Sequence, residues 1–115
     1  MSCVLRVSGP MLSEHLAGVS LKPYRFEKGC AHFSVSGCDF DDLPGQVGDA
    51  QAFLSTHAAD VALLMRSAEA DGVLDFAVEF RSEGFTARAF PPKLVRQAGA
   101  MGLGLELSLY PAESS

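Results

Sequence analysis

The sequence predicts an α+β fold, a two-layer sandwich with helices packed on one face of a mainly antiparallel sheet. Three observations predict it. Apolar and polar residues alternate in the opening, middle and closing stretches, as in strands with one buried and one wet face. A longer run beginning near Asp42 repeats its apolar positions every three or four residues, the period of an amphipathic helix. The patterns follow in the order strand, helix, hairpin, long helix, strand, short helix, strand. Half-apolar strands argue against a doubly wound parallel sheet, whose strands are buried on both faces.

The opening CVLRVSGP sets Cys3, Leu5 and Val7 against Val4, Arg6 and Ser8 and stops at Gly9-Pro10, a strand and a turn. MLSEHLAGV spaces Met11, Leu12, Leu16 and Val19 helically, giving a short helix that Ser8 or Ser13 can cap. In PYRFEKGCAHFSVSG, Tyr24 and Phe26 precede Lys28-Gly29, and Ala31, Phe33 and Val35 follow it. A glycine at that junction supplies the positive φ of a tight turn, so the stretch is a hairpin.

The longest signal is Leu43, Val47, Ala50, Leu54, His57, Ala58, Val61, Leu64, Met65 and Ala68, with Gln46, Asp49, Ser55, Asp60 and Arg66 mostly on the other side. It predicts one helix from about Asp42 to about Ala70, on the order of 40 Å long if unbroken, ended by Asp71-Gly72. VLDFAVEF turns Leu74, Phe76, Val78 and Phe80 inward and Asp75, Ala77 and Glu79 outward. RSEGFTAR reads as a loop or short ribbon. Pro91 and Pro92 then pre-set a helix carrying Leu94, Val95, Ala98 and Met101 on one side. The last strand, LGLELSLYP, points Leu103, Leu105, Leu107 and Leu109 inward and Gly104, Glu106, Ser108 and Tyr110 outward. The first six elements match a split βαββαβ arrangement, so the expected architecture is a ferredoxin-like core with an added C-terminal helix and strand.

With 115 residues, no repeat and no Gly/Ser/Pro-rich linker, the chain is expected to form one domain over residues 1–111, with 112–115 a disordered tail. Hydrophobic residues at 48% and charged residues at 20% are ordinary for a globular protein. The net charge of -5 and singly scattered basic residues argue against nucleic acid, which demands a clustered basic surface. No stretch approaches the roughly 20 apolar residues of a membrane span, and MSCVLRVSG lacks the features of a signal peptide, so a cytoplasmic location is expected. Cys3, Cys30 and Cys38, odd in number and irregular in spacing, suit reduced thiols.

Candidate chemistry is sparse. CAHFSVSGCD places Cys30, His32 and Cys38 on one strand parity, but Cys38 lies roughly 20 Å further along an extended chain, which leaves a zinc site without its third ligand. Asp39, Asp41 and Asp42 fail the calcium-loop pattern, because Leu43 takes its fifth position. They suit capping of the long helix by Asp42 or Asp41, with a weak Mg²⁺ or Ca²⁺ site as the alternative. His57, on the apolar stripe with Asp60 one turn later, is either a general base or a core-edge histidine satisfied by that carboxylate. No G-x-S-x-G elbow supports a hydrolase. No catalytic set, metal or cofactor is therefore expected. The outward residues Asp75, Ala77, Glu79, Gly104, Glu106 and Tyr110 are the candidate interface, because Ala77 and Gly104 leave bare backbone there; a solvated face of mixed small and charged residues is the plainer alternative.

LAGVSLKPYRFEKG, the long helix and FPPKLVRQAGAMGLGLELSLYP together give the chain a resemblance to the bacterial family known as domain of unknown function 4279. The match rests on Leu21, Pro23, Lys28 and Gly29 at the first turns and on Leu94, Val95, Gly102, Leu103, Leu105, Leu107, Leu109 and Tyr110 at the end. A tryptophan associated with that family's middle strand is missing, and Phe33 fills the place. The resemblance implies a small cytoplasmic bacterial α+β domain with no assigned activity.

The expected function is a non-enzymatic interaction module that forms a homodimer through the open sheet face or an exposed strand edge. An acidic inhibitor of a basic protein partner is its narrower form. The alternative is a metabolite sensor using the Ser8-Gly9-Pro10 turn, and an enzyme using His57, or Cys30 with His32, ranks last.

Overall fold

The structure is a computed structural model that describes residues 1–80 and 88–112. Its elements are β1 (Cys3–Ser8), α1 (Leu12–Ala17), β2 (Arg25–Glu27), β3 (Cys30–Ser36), α2 (Leu43–Thr56), α3 (Ala58–Leu64), β4 (Asp71–Phe80), α4 (Pro92–Ala100) and β5 (Leu103–Pro111). One five-stranded sheet has the order β2-β3-β1-β4-β5. The pairs β2-β3, β3-β1 and β1-β4 are antiparallel, and β4-β5 is parallel. The predicted two-layer α+β sandwich is the observed class. Of the predicted loop RSEGFTAR, residues 81–87 lie outside the described residues, as do 113–115 of the predicted tail. The Ala112 amide donates to the Phe80 carbonyl at 2.8 Å and continues the ladder beyond Pro111.

β1, β3 and β4 bury the parity the sequence assigned to the core along most of their length, whereas β2 is exposed throughout. Cys3, Leu5 and Val7 of β1, Ala31 and Phe33 of β3, and Leu74, Phe76 and Val78 of β4 are at most 1% exposed. They meet Leu43, Val47, Ala50 and Leu54 of α2, Val61 and Leu64 of α3, and Leu94 and Ala98 of α4 in one cluster, so the helices share one face. The β2-β3 hairpin turns on Lys28 and Gly29 at φ 53° and 74°, the paired positive values that a two-residue turn requires to match strand twist.

The predicted long helix is two. It breaks at His57, φ -110° and ψ 26°, where Ser55, Thr56 and His57 bring three weak helix formers together. It also stops at Leu64 rather than near Ala70. The Ser67 hydroxyl accepts from the Glu69 amide at 3.2 Å, a local bond that competes with helix continuation. Asp71 and Gly72, expected to end the helix, are instead the first residues of β4, opposite Ser8 and Val7.

Capping divides the expectations. Asp42 caps α2 as predicted, its carboxylate accepting from the Gly45 amide at 2.9 Å. Replacing it by alanine is expected to cost about 1 kcal/mol, read as a lower denaturant midpoint with unchanged slope. Neither Ser8 nor Ser13 caps α1, because Ser8 belongs to β1 and Ser13 lies inside the helix; Met11, in the left-handed region at φ 65°, holds the N-cap position without a side-chain bond.

Two inward assignments near the C-terminus are corrected. Val95 is 47% exposed although it was placed with Leu94. Along β5 the cover thins from Leu103 at 6% exposure, through half-buried Leu105 and Leu107, to Leu109 at 55%. Lengths explain the gradient. A nine-residue helix runs about 13 Å and a nine-residue strand about 30 Å, so α4 roofs only the end of β5 next to it.

Candidate functional site

The outward face of the sheet follows from the registers. One row across it is Arg25, His32, Arg6, Val73 and Gly104, and the next is Ser34, Val4, Asp75 and Glu106. All six candidate interface residues lie on this face: Asp75, Ala77 and Glu79 on β4, and Gly104, Glu106 and Tyr110 beside them on β5. The structure therefore brings them together.

Sequence reasoning missed the residue that organises their centre. The Arg6 guanidinium donates to Asp75 at 2.7 Å and also pairs with Glu106, while the Ser108 hydroxyl donates to the other Asp75 oxygen at 2.7 Å. Arg6 is held above its ordinary range, chiefly by its bond to Glu106 and further by Asp75. Asp75 and Glu106 stand opposite each other in register, and one cation between them neutralises much of that repulsion. Alternation alone put Arg6 on the outward face, but the long-range pairing of β1 with β4 was needed to put it between two carboxylates.

At the far end of the same face the rings of Tyr110 and Phe40 lie 5.3 Å apart, and the Glu79 amide donates to the Phe40 carbonyl at 3.0 Å. Phe40, Phe80, Leu109 and Tyr110 are all exposed by more than a third, although Phe80 and Leu109 belong to the inward parity. The acidic segment is thereby laid along β4. Buried Gln46 fixes it, donating to the carbonyls of Asp39 at 3.2 Å and Ala77 at 2.8 Å.

The weaker candidates do not converge. Cys30 and His32 point outward on β3, with His32 opposite both Arg25 and Arg6 and its ring 6.0 Å from that of Tyr24. Cys38 does not share their face. A bulge opposite Cys3 and Val4 shifts the parity of β3, so Ser36 turns inward, and the Ser36 hydroxyl and Cys38 thiol both donate to Asp49 of α2, at 2.6 and 3.4 Å. His57 belongs to the helical layer, its ring 4.8 Å from Phe53. Asp60 is not its hydrogen-bond partner. One Asp60 oxygen accepts from the Ser20 hydroxyl at 2.8 Å and from the amides of Ser20 and Leu21 at 3.1 and 3.2 Å. The Ser20 hydroxyl first, then these amides, hold its carboxyl below the usual range. Asp60 thus ties α3 to the connection after α1. Among the described residues no group of three His, Cys, Asp or Glu side chains is placed to hold a metal ion.

A cleft of about 680 Å³ lies between the first turns of α2 and residues 88–91, lined by Leu43, Pro44, Val47, Gln51, Arg88 and Pro91 among others. None of Cys30, His32, His57 or Asp60 lines it. The Ser8-Gly9-Pro10 turn is elsewhere and is occupied by protein: a Cβ on Gly9 would stand 3.0 Å from the Ala70 Cα. That turn packs two segments of the chain together. No helix among the described residues is long and apolar enough to cross a membrane. No protein-family model, curated protein or solved structure matches the chain.

Proposed function

We propose that this protein is a non-enzymatic interaction module that self-associates, and that β5 is the element through which it does so. The observation that carries the reading is a nine-residue edge strand that has no partner strand on its outer side among the described residues. The Ala112 amide bonds to the Phe80 carbonyl, so in a parallel ladder the even-numbered residues of β5 face β4. The N–H and C=O groups of Leu103, Leu105, Leu107 and Leu109 then point away from the sheet. An edge of this length is a template for pairing with another chain. The opposite edge, β2, offers only three residues.

The open face is the weaker of the two expected surfaces, because its central charges are satisfied within the chain by Arg6. Light scattering and sedimentation test the choice. The protein is expected to dimerise with rising concentration, and Leu109→Pro to weaken Kd at least tenfold with an unchanged circular dichroism spectrum. The variant removes an outward N–H on an exposed residue and leaves the β4 ladder intact. A protein that stays monomeric at high concentration sinks the reading.

The neighbour order of the first four strands and three antiparallel pairs support a ferredoxin-like core to which α4 and β5 are added. The three unbridged cysteines support a reducing, cytoplasmic setting. The relation to domain of unknown function 4279 stays a proposal resting on turn and core positions. A second reading, binding of a small metabolite, is favoured by the cleft beside α2, whose volume falls in the ligand-pocket range. Stabilisation by a metabolite in a thermal-shift screen supports it, and a uniformly flat screen counts against it.

A further inference from the structure

From the same edge we infer the geometry of the assembly: two copies of this chain join β5 to β5 antiparallel about a twofold axis at Leu107, with Tyr110 of each copy lying across Gly104 of the other. The inference rests on self-association through β5 and adds the register. Two identical antiparallel strands that extend one sheet must pair residues of equal parity, since opposite residues share a face. The outward backbone groups belong to Leu103, Leu105, Leu107 and Leu109, so these form the hydrogen-bonded pairs. Only a few centres remain.

A centre at Glu106 sets two glutamates directly opposite each other, which is repulsive. A centre at Ser108 places Pro111, which has no N–H, inside the ladder opposite Leu105. A centre at Leu105 pairs an equal stretch, positions 103 to 107, but leaves Leu109 and Tyr110 uncovered. With the centre at Leu107 no like charges oppose each other, Leu109 and Tyr110 are covered, and Pro111 falls opposite Leu103 at the ladder's end, outside the hydrogen-bonded stretch from 105 to 109. Leu105 meets the partner's Leu109, Glu106 meets the partner's Ser108, and about six interchain hydrogen bonds form between positions 105 and 109.

Side chains fit the same register. Gly104 is exposed, and a Cβ there would meet only Val73 and the Gly72 carbonyl at 3.8 and 3.9 Å, so the surface above it is open. Tyr110, 48% exposed and steadied by Phe40, is the aromatic that fills such a gap on a strand glycine. On the inward face, each Leu109 left bare by the short α4 comes to lie beside the partner's Leu105, giving one apolar stripe across both copies. The partner that fits this edge is therefore a second copy.

Disulfide trapping reads the register. In a Cys30→Ser, Cys38→Ser background, Glu106→Cys and Ser108→Cys variants are oxidised separately and as a mixture, and dimers are counted on non-reducing gels. The mixture is expected to cross-link at least tenfold faster than either variant alone. Dominant Glu106→Cys homodimers, or dominant Ser108→Cys homodimers, overturn the Leu107 centre while leaving edge pairing. A dimer by light scattering with no cross-link in any sample overturns the Leu107 centre, and if the β5 amides also gain no protection with concentration it overturns β5 pairing but not self-association. A monomer at all concentrations overturns both. Hydrogen exchange on the unaltered protein gives a second readout: the amides of Leu105, Leu107 and Leu109 are expected to gain protection with concentration, and protection independent of concentration is contrary to the proposal.

Discussion

Phe76→Ala is expected to destabilise the fold by about 3–5 kcal/mol, a large share of the roughly 5–15 kcal/mol that holds a domain together. Phe76 is wholly buried at the centre of β4, between Cys3 of β1 and Leu107 of β5, and its ring lies 4.9 Å from that of Phe90. Truncation removes the apolar transfer gain and leaves a cavity that three paired strands are too constrained to close. Urea unfolding measures it as a drop in midpoint. Phe40→Ala, at a ring 40% exposed, is the control and is expected to cost under about 1 kcal/mol. Equal losses for the two would mean that the core is not centred on Phe76. Because Phe76 stands beside Leu107 in the β4-β5 register, the core variant is also expected to weaken any pairing through β5.

The second large effect is alkaline. Burial first, and then the carboxylates of Asp75 and Asp49, push the Cys3 thiol from 9.0 up to about 12. The native state therefore holds this proton more tightly than the unfolded chain. The stabilisation is complete below pH 9 and is lost as pH rises towards 12, by up to about 4 kcal/mol at 1.36 kcal/mol for each pH unit. Unfolding free energies of the protein and of Cys3→Ala, measured from pH 8 to 12, are expected to differ by a constant amount at first and to converge above pH 9. Parallel curves throughout would show that Cys3 carries no such linkage. The same burial makes Cys3 an inert thiol at neutral pH, with Cys30 and Cys38 the first to react with a thiol reagent.

Particular residues show where the sequence was legible. The alternation of Cys3, Leu5 and Val7, and of Leu74, Phe76 and Val78, predicted burial correctly because a strand's period of two fixes which side chains share a face. Lys28-Gly29, at φ 74° for Gly29, marked a hairpin through local sterics alone. Gly102, in the left-handed region at φ 75°, closes α4 just before β5.

The misses share a different cause. The break at His57 was invisible because the apolar stripe continues through it, and a stripe records which residues are buried rather than whether one axis carries them. The inward turn of Ser36 and the departure of Cys38 from the Cys30 and His32 face depend on one bulge in the pairing of β3 with β1. The exposure of Leu109 depends on where α4 ends above the sheet, and the bond from Ser20 to Asp60 depends on α3 meeting the connection after α1. Periodicity and turn chemistry are properties of neighbours along the chain, so the order of the strands and helices and the outward parity of Asp75, Ala77, Glu79, Gly104, Glu106 and Tyr110 could be read in one dimension. Register and layer overlap are relations between segments as much as 100 residues apart, as Arg6 and Glu106 are. Packing alone set Arg6 between two carboxylates and placed β5 at the edge of the sheet, with no partner strand on its outer side among the described residues.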